Sequence, residues 1–407
     1  MRVCCAVTVA AALLLTAELR AQSTLEVFSV DPSTLIKVRE SLHAGTSLYQ
    51  PALKRLLRDA EKALDVEPMS VVDKEKTPPS GNKHDYMSLG RYWWPDPSKP
   101  DGLPYIRKDG ETNPEIGDYR DHEKFTTICN NAFTLGLAYF FTGRKEFAHH
   151  ACGLVRTWFL DSTTAMTPHL DYSQSIPGRS TGRGTGVLDG RHTALVIDAI
   201  GLMRASGEWS DADDAALRVW FGKYTDWLVT SKNGMDEAAA ENNHGTWYDA
   251  HVLPSALYSG RKDIALKIAR EVPAKRIFAQ IRADGTQPEE LARTRSWHYS
   301  IFNLEAFVRL SIQTKRLGVD LWSAKGPDGQ SLRAAIDALL PYARKEREWT
   351  YKEIEGVDRV GMSPLLLGVY LVTLDTTYRD LAFTFGGSRL AEHRSVLLTG
   401  AEPKVKQ

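Results

Sequence analysis

Two short polar motifs carry side chains that could do chemistry together. The first is Asn242-Asn243-His244-Gly245, and the second runs from Arg293 to Tyr299 with the sequence Arg-Thr-Arg-Ser-Trp-His-Tyr. Together they offer a carboxamide, an imidazole, guanidinium groups and a phenol. Such a set can bind a carboxylate, stabilise the charge that develops when the adjacent carbon loses its proton, and move that proton.

The residue types favour a role for each side chain. Asn243 and Arg293 suit a carboxylate, because arginine can donate two parallel hydrogen bonds to it. His244 has an unperturbed pKa of about 6.5 and could be a general base, or it could orient the carboxylate or the phenol. Tyr299 needs neighbouring cations to act as a base near neutral pH, since an unperturbed phenol has a pKa of about 10. The structural alternatives are helix capping for the asparagines, a buried histidine and a core tyrosine.

Two irregular stretches offer further contacts for a polymer. The first, from Met69 to Tyr119, is rich in Pro and Gly, and a loop this long in a compact domain is usually functional or disordered. Its aromatic residues argue against disorder and predict either a sugar-binding platform or a hydrophobic cluster under the loop: Tyr86, Tyr92, Trp93 and Trp94. The second stretch, from Thr167 to Gly190, contains glycines that could let the backbone approach a ligand.

Charged and polar residues near these stretches could hold carboxylates along a cleft, although a solvated loop explains any one of them as well. The candidates are Gln174, Arg179, Arg183, Arg191 and His192, with Asn242, Arg295 and His298 from the two motifs. No His-Glu-x-x-His pattern or cysteine-rich ligand cluster occurs, so we expect no metal site.

Most of the remaining chain shows the 3.6-residue periodicity of helices, with little of the alternation expected of strands. The predicted helices are joined by short turns and suggest an all-α fold of paired helices in a closed or solenoid-like ring. They cover 51–64, 125–141, 146–160, 192–203, 211–228, 263–272, 301–314, 332–340 and 364–374. Residues 251–257 are apolar but interrupted by Pro254, and Gly143 is a plausible end for the second helix.

Composition and the chain ends indicate an exported globular protein. Hydrophobic residues make up 43% of the 407, and 51 basic residues balance 51 acidic ones, so no global charge would recruit nucleic acid or a membrane. Residues 1–21 read as a cleaved signal peptide, which predicts a periplasmic or secreted protein with no membrane contact after cleavage. We expect one domain over 22–400, a polar tail at 401–407, and a monomer or weak homodimer. Cys129 and Cys152 could form a disulfide, but two buried free thiols are at least as plausible.

Several segments resemble the alginate lyase superfamily of polysaccharide lyases, closest to polysaccharide lyase family 38, which acts on alginate or glucuronan. The resemblance spans roughly residues 80 to 310. It rests on Asp85-Tyr86-Met87-Ser88-Leu89, Tyr92-Trp93-Trp94-Pro95-Asp96-Pro97, Gly102-Leu103-Pro104-Tyr105, Asn113-Pro114-Glu115, the Asn-Asn-His-Gly motif and 287–294.

The resemblance implies an (α/α) toroid, an incomplete barrel of six to seven helical hairpins with long loops lining a cleft, and chemistry without a cofactor. It also implies that Asn243, His244, Arg293 and Tyr299 neutralise the substrate carboxylate and move the protons. We favour Arg293 over Arg295 as the neutralising arginine. The expected reaction is β-elimination in a 1,4-linked polyuronate, which leaves 4,5-unsaturated uronate ends.

Stereochemistry divides the proton transfers. In β-D-mannuronate and β-D-glucuronate the C5 hydrogen and the C4 oxygen lie on the same face, so Tyr299 could be both base and acid. In α-L-guluronate they lie on opposite faces, so His244 would be the base and Tyr299 the acid. We therefore expect mannuronate-type bonds to be cleaved by Tyr299 with His244 nearby.

Two other functions fit parts of the sequence. Glu289, Glu290 and Asp284 could serve a glycoside hydrolase, although adjacent glutamates on a helix point in different directions. The aromatic loop alone would suit a non-catalytic polysaccharide-binding protein.

Overall fold

The computed structural model describes residues 25–402, so the expected signal peptide and most of the expected polar tail lie outside the described residues. Helices dominate this part of the chain. In chain order, α1 to α16 are Pro32–His43, Gln50–Leu64, Asp121–Thr142, Lys145–Phe159, Thr193–Met203, Asp211–Thr230, Lys232–Ala238, Asn243–Tyr258, Lys262–Val272, Phe278–Gln280, Pro288–Leu291, Ser296–Lys315, Leu332–Ala343, Met362–Thr373, Thr376–Leu390 and Ser395–Thr399.

The helices pack against their chain neighbours and against the next pair, which builds an (α/α) toroid. Helix α3 contacts α4 and α5, α8 contacts α9 and α12, and α14 contacts both α12 and α15. The expectation of an all-α toroid is confirmed. None of the helices in residues 25–402 is both long and apolar enough to span a bilayer.

Two buried apolar clusters hold the ring together. One is formed mainly by α2 to α6 and α8 and contains Cys129 and Cys152, and the other is formed mainly by α1 to α3, α8, α9 and α12 to α16. Both cysteines are buried free thiols, and burial raises the pKa of the Cys152 thiol to about 12. The unbonded alternative is therefore the observed one.

Local sequence explains where the principal helices begin and end. Helix α3 ends at Gly143, whose φ of 70° is the left-handed conformation that glycine adopts at low cost. Helix α6 begins with a capping box between Ser210 and Asp213. Helix α8 continues through Pro254, because the side chain of Gln313 donates a 3.0 Å hydrogen bond to the Ala250 carbonyl that a proline cannot satisfy.

The two irregular stretches pair with each other through short strands. Strand β1, Met87–Leu89, lies parallel to β4, Tyr172–Ser175. Within the first stretch, β2, Trp93–Trp94, pairs antiparallel with β3, Ile106–Arg107. Both stretches are thus ordered loops of one folded unit, and they cover the end of the ring at which α8 and α12 begin.

Candidate active site

The first motif opens helix α8. The side chain of Asn242 accepts a hydrogen bond from the backbone N–H of His244, so Asn242 is the N-cap. Asn243 is fully buried, and both its backbone N–H and its amide nitrogen donate to the Glu290 carboxylate, at 2.6 and 2.7 Å. The capping alternative is therefore correct for Asn242, whereas Asn243 belongs to a buried polar contact with the segment that precedes Arg293.

Gly245 is required by the packing of the α8 N-terminus. A Cβ at this position would lie 2.1 Å from the Ala240 carbonyl oxygen and 2.2 Å from a guanidinium nitrogen of Arg276. Arg276 is itself buried, donates to the carbonyls of Ala238 and Ala240, and pairs with Asp249. This cluster fixes the chain on either side of the motif and hence the direction of the His244 side chain.

His244 is oriented by a buried carboxylate. Its Nδ1 lies 2.7 Å from Oε1 of Glu237, and the two side chains are 18% and 1% exposed. A carboxylate accepts hydrogen bonds, so Nδ1 carries the hydrogen and Nε2 presents its lone pair. The arrangement leaves Nε2 as a proton acceptor.

Arg293 is held between the long loop and helix α12. Its guanidinium donates to both carboxylate oxygens of Asp109, at 2.8 and 3.2 Å, and its central carbon lies 3.7 Å from the centre of the Tyr299 ring. The ion pair with Arg293 holds the pKa of the Asp109 carboxyl well below its usual range, although burial acts in the opposite direction. Arginine has five N–H donors, so donors remain for a second carboxylate.

Tyr299 lies in the first turn of α12. The loop between α13 and α14 contacts this end of the helix. Glu353 accepts hydrogen bonds from the backbone N–H groups of Trp297 and His298, the anion placement that a helix N-terminus favours. The Tyr299 hydroxyl lies 2.9 Å from the hydroxyl of Tyr92. Burial raises the pKa of Tyr299 above its usual value even though the Arg293 cation acts to lower it, so the acidification we expected from neighbouring cations is outweighed here.

The aromatic loop divides into buried and accessible residues. Tyr86 is 0% exposed and donates its hydroxyl hydrogen to Asp189, so the expectation that Tyr86 belongs to a sugar platform is wrong. Trp93 and Trp94 are partly exposed. The guanidinium of Arg183 lies 5.8 Å from the Trp93 ring centre. The residues left for a platform are therefore Tyr92, Trp93 and Trp94.

The second stretch supplies an ordered polar network. Gln174 donates to Asp189 at 2.9 Å, while its amide oxygen and its carbonyl both accept from Arg183. Burial lowers the pKa of Arg183 to about 10. The glycines have a different role from the one we expected: a Cβ at Gly182 would lie 1.9 Å from the Asp171 carbonyl oxygen, so this glycine permits contact within the chain.

Two of the remaining candidates, His298 and Arg191, lie against Phe302, one turn beyond Tyr299. His298 stacks on the Phe302 ring, and the Arg191 guanidinium lies 5.8 Å from its centre. Burial lowers the pKa of Arg191 to about 10. His192 has a buried Nε2 that forms no hydrogen bond with any described residue. Arg295 forms an ion pair with Glu355, whereas Arg293 pairs with Asp109.

Glu290 joins the two motifs, and sequence reasoning missed this role. It binds Asn243 directly, and its pKa, which burial raises, is drawn downward by Asn243, Arg293 and His244. Asp109 and Glu237 were missed as well. The sequence indicated only that the cations and amides of each motif need buried partners. It did not show which carboxylates are these partners, because the carboxylates lie far from the motifs or were not recognised beside them.

The carboxylates proposed for a hydrolase do not form a pair. Glu290 is 1% exposed and bound to Asn243, whereas Glu289 is exposed. Asp284 is exposed and binds Thr286 in its own turn. Among residues 25–402, no cluster of His, Cys, Asp and Glu has the arrangement of a metal site.

Comparison with known proteins places the chain in a family. The alginate lyase family profile matches residues 70–349. An alginate lyase from Bacteroides ovatus is 41% identical, with a TM-score of 0.88, and the match covers 92% of this chain and 99% of that one. No curated protein gives a match.

More distant solved structures share the fold. Alginate lyase A1-III from Sphingomonas species A1 has a TM-score of 0.58 at 17% identity, covering 93% of this chain and 97% of that one. A variant of A1-III complexed with a tetrasaccharide has a TM-score of 0.59 at 16% identity, covering 94% and 99%. The family profile and the Bacteroides relative together show that this chain belongs to the alginate lyase family and is a polysaccharide lyase.

Proposed function

We propose that the protein cleaves alginate by β-elimination and leaves 4,5-unsaturated uronate ends. The observation that carries this proposal is the stack of Arg293 on Tyr299 beside the Glu290–Asn243 contact and the His244–Glu237 pair. These groups can neutralise a carboxylate and move a proton with no metal or cofactor. The similar Bacteroides protein is described as an alginate lyase, which supports alginate as the polymer.

Arg293 and Asn243 are the proposed carboxylate-neutralising groups. Arg293 uses two donors on Asp109 and keeps the others for the substrate. Asn243 keeps the second hydrogen of its amide nitrogen, since Glu290 occupies one. Hydrogen bonds from these groups become stronger as charge builds on the carboxylate, so they stabilise the enolate-like transition state more than the ground state.

Tyr299 and His244 are the proposed proton carriers, and mannuronate-type bonds are the favoured substrate. On a mannuronate bond, Tyr299 takes the C5 proton and returns it to the C4 oxygen, with Arg293 and the Tyr92 hydroxyl stabilising its phenolate. On a guluronate bond, Nε2 of His244 takes the proton from the opposite face and the neutral Tyr299 phenol protonates the leaving oxygen. Glucuronan has the same-face geometry and is the alternative polymer.

The anionic polysaccharide is the proposed partner, bound along the two ordered loops. Trp93 and Trp94 offer partly exposed rings, and Gln174, Arg183 and Arg191 offer polar groups beside them. We also propose export through the signal peptide at residues 1–21, to the periplasm or outside, and action as a monomer or weak homodimer.

Ultraviolet absorbance during incubation with polymannuronate, polyguluronate and glucuronan tests the function. Elimination creates a conjugated double bond and raises the absorbance, whereas hydrolysis yields reducing ends without it and binding yields neither. The proposal predicts rising absorbance on polymannuronate that Tyr299→Phe abolishes. Tyr351→Phe, at an exposed tyrosine, should retain normal activity. Cleavage at the normal rate by Tyr299→Phe would exclude the assigned chemistry.

A further inference from the structure

A cavity lies between helices of the ring, and none of the four proposed catalytic residues lines it. Its volume is about 380 Å³, within the range of about 300–1,000 Å³ typical of small-molecule sites. Helices α3, α5, α8, α12, α14 and α16 all contribute to its wall. The polar and aromatic residues in the wall include Asn130, Trp247, Glu305, Arg309 and Arg394.

Arg309 is a cation that forms no close ion pair with any residue between 25 and 402. It lies in α12, and no residue in the described part of the chain accepts a hydrogen bond from its guanidinium. Its guanidinium carbon lies 5.2 Å from the centre of the Trp247 ring. Burial lowers the pKa of Arg309 and the Arg394 cation acts in the same direction, while the Asp198 and Glu305 carboxylates oppose the shift from beyond ion-pair distance. The N–H donors of this guanidinium are therefore available to a ligand that enters the cavity.

Arg394 adds a second donor to the same space. Its guanidinium donates a long hydrogen bond of 3.4 Å to the Thr134 hydroxyl. Arg309 and Arg394 both line the cavity and are both partly exposed, so solvent reaches them. Two arginines facing one space are the usual arrangement for binding a carboxylate or another small anion.

Glu305 makes the cavity more selective than a simple anion pocket. It lies one turn before Arg309 on α12, and the two side chains interact through their charges without a hydrogen bond. Burial raises its pKa to about 7, while Arg309 opposes the shift. A carboxyl group beside two arginines would reject a second anionic group but would bind a hydroxyl, and Trp247 supplies an aromatic surface.

We propose that this cavity binds a monomeric sugar acid, with its carboxylate on Arg309 and Arg394 and a hydroxyl on Glu305. A monouronate has one carboxylate, several hydroxyls and an apolar ring face, which match the three kinds of group in the wall. The choice of a sugar acid rests on the proposed function, because elimination in a polyuronate ends in small uronates. The requirement for a carboxylate rests on the arginines alone.

Phe302 separates this cavity from the candidate active site. His298 and Arg191 contact its ring on the active-site side, and Trp247 packs against it at a centroid distance of 5.0 Å on the cavity side. Arg293 and Tyr299 do not line the cavity. Variants of Arg309 and Arg293 can therefore report on the two places separately.

Isothermal titration of the mature enzyme with sodium glucuronate tests the proposal, with glucose and acetate as comparison ligands. We expect glucuronate to bind the wild type and the Arg293→Lys variant with similar affinity. Arg309→Gln should weaken binding by tenfold or more, since it removes a charge-assisted contact. Arg394→Gln should also weaken it, and this variant serves if Arg309→Gln fails to fold. Glucose should bind at least tenfold more weakly than glucuronate.

Three results would overturn the proposal. Equal affinity in the wild type and both cavity variants would show that the cavity arginines do not bind the ligand. Loss of binding in Arg293→Lys alone would place the ligand in the active site. Acetate binding as tightly as glucuronate would remove the sugar from the assignment. None of these measurements uses a polymer, so they are independent of whether the enzyme cleaves alginate.

Discussion

Replacing Glu237 by Gln should disable the imidazole while leaving its surroundings in place. Glu237 is 1% exposed, and its Oε1 lies 2.7 Å from Nδ1 of His244. A glutamine has the same shape, but its amide nitrogen can donate to Nδ1 and so favour the tautomer with the hydrogen on Nε2. That tautomer has no lone pair on Nε2 with which to accept the C5 proton.

The expected loss follows from what a positioned base contributes. General-base catalysis contributes about 10²- to 10⁴-fold in rate, equivalent to about 3–5 kcal/mol of transition-state stabilisation. We therefore expect Glu237→Gln to lower kcat on polyguluronate by about 10²-fold or more with little change in KM. On polymannuronate the loss should be smaller, because Tyr299 carries the proton in both directions there.

Initial rates from ultraviolet absorbance on the two homopolymers provide the assay. Glu241→Gln is the matched control, since Glu241 is an exposed glutamate that precedes the Asn-Asn-His-Gly motif directly. Circular dichroism should show that both variants are folded. A kcat on polyguluronate for Glu237→Gln equal to that of Glu241→Gln would refute the assignment of His244 as the base.

Three further predictions concern the other groups. In steady-state assays, Arg293→Lys should lower kcat/KM by about 10²-fold or more, because lysine cannot reproduce the two-point contact with Asp109 or the stack on Tyr299. Arg295→Lys should lower kcat/KM by less than about tenfold. Equal losses in the two variants would reopen the choice between the two arginines. On polymannuronate, kcat/KM should rise from about pH 6 to 9, because burial raises the pKa of Tyr299 above its usual value of 10 and the phenolate fraction grows with pH. A flat pH profile would count against Tyr299 as the base. Burial lowers the pKa of His192 from 6.5 to about 2, so below pH 6.5 the unfolded chain binds a proton that the folded chain does not. The free energy of unfolding should therefore fall as the pH drops below 6.5, by at most about 1.4 kcal/mol per pH unit. Urea unfolding at pH 5 and 7 checks this, and His192→Gln should reduce the difference.

The ring could be predicted because helix periodicity is a local property. The helix expected at 211–228 is observed as Asp211–Thr230, and the one expected at 332–340 as Leu332–Ala343. Helices at Pro32–His43 and Thr376–Leu390 were not expected. Their N-caps, Asp31 and Asp375, are the signals that were overlooked.

The site could be predicted only as far as residue type and proximity in sequence allow. Two polar motifs were recognisable, but the pairing of Asn243 with Glu290 and of Arg293 with Asp109 depends on how distant segments meet. The same limit explains why the prediction for Tyr86 was wrong. Tyr92 and Trp93, close to it in sequence, are accessible, but Tyr86 is buried and donates a hydrogen bond to Asp189. Likewise, the helix through Pro254 depends on Gln313, 59 positions away along a chain whose local pattern suggested a break.

The contact between Asp109 and Arg293 ties the architecture of the loop to the electrostatics of the reaction. Asp109 lies on a segment that no helix holds, yet it aligns the guanidinium stacked on Tyr299. Cutting or loosening the loop near residue 109 would misalign Arg293 while every proposed catalytic residue stayed in the chain. A nicked enzyme that keeps its helical spectrum would then bind polymer on its remaining aromatic surface and turn it over poorly. Limited proteolysis near residue 109 would thus inactivate the enzyme while the helical ring stays folded.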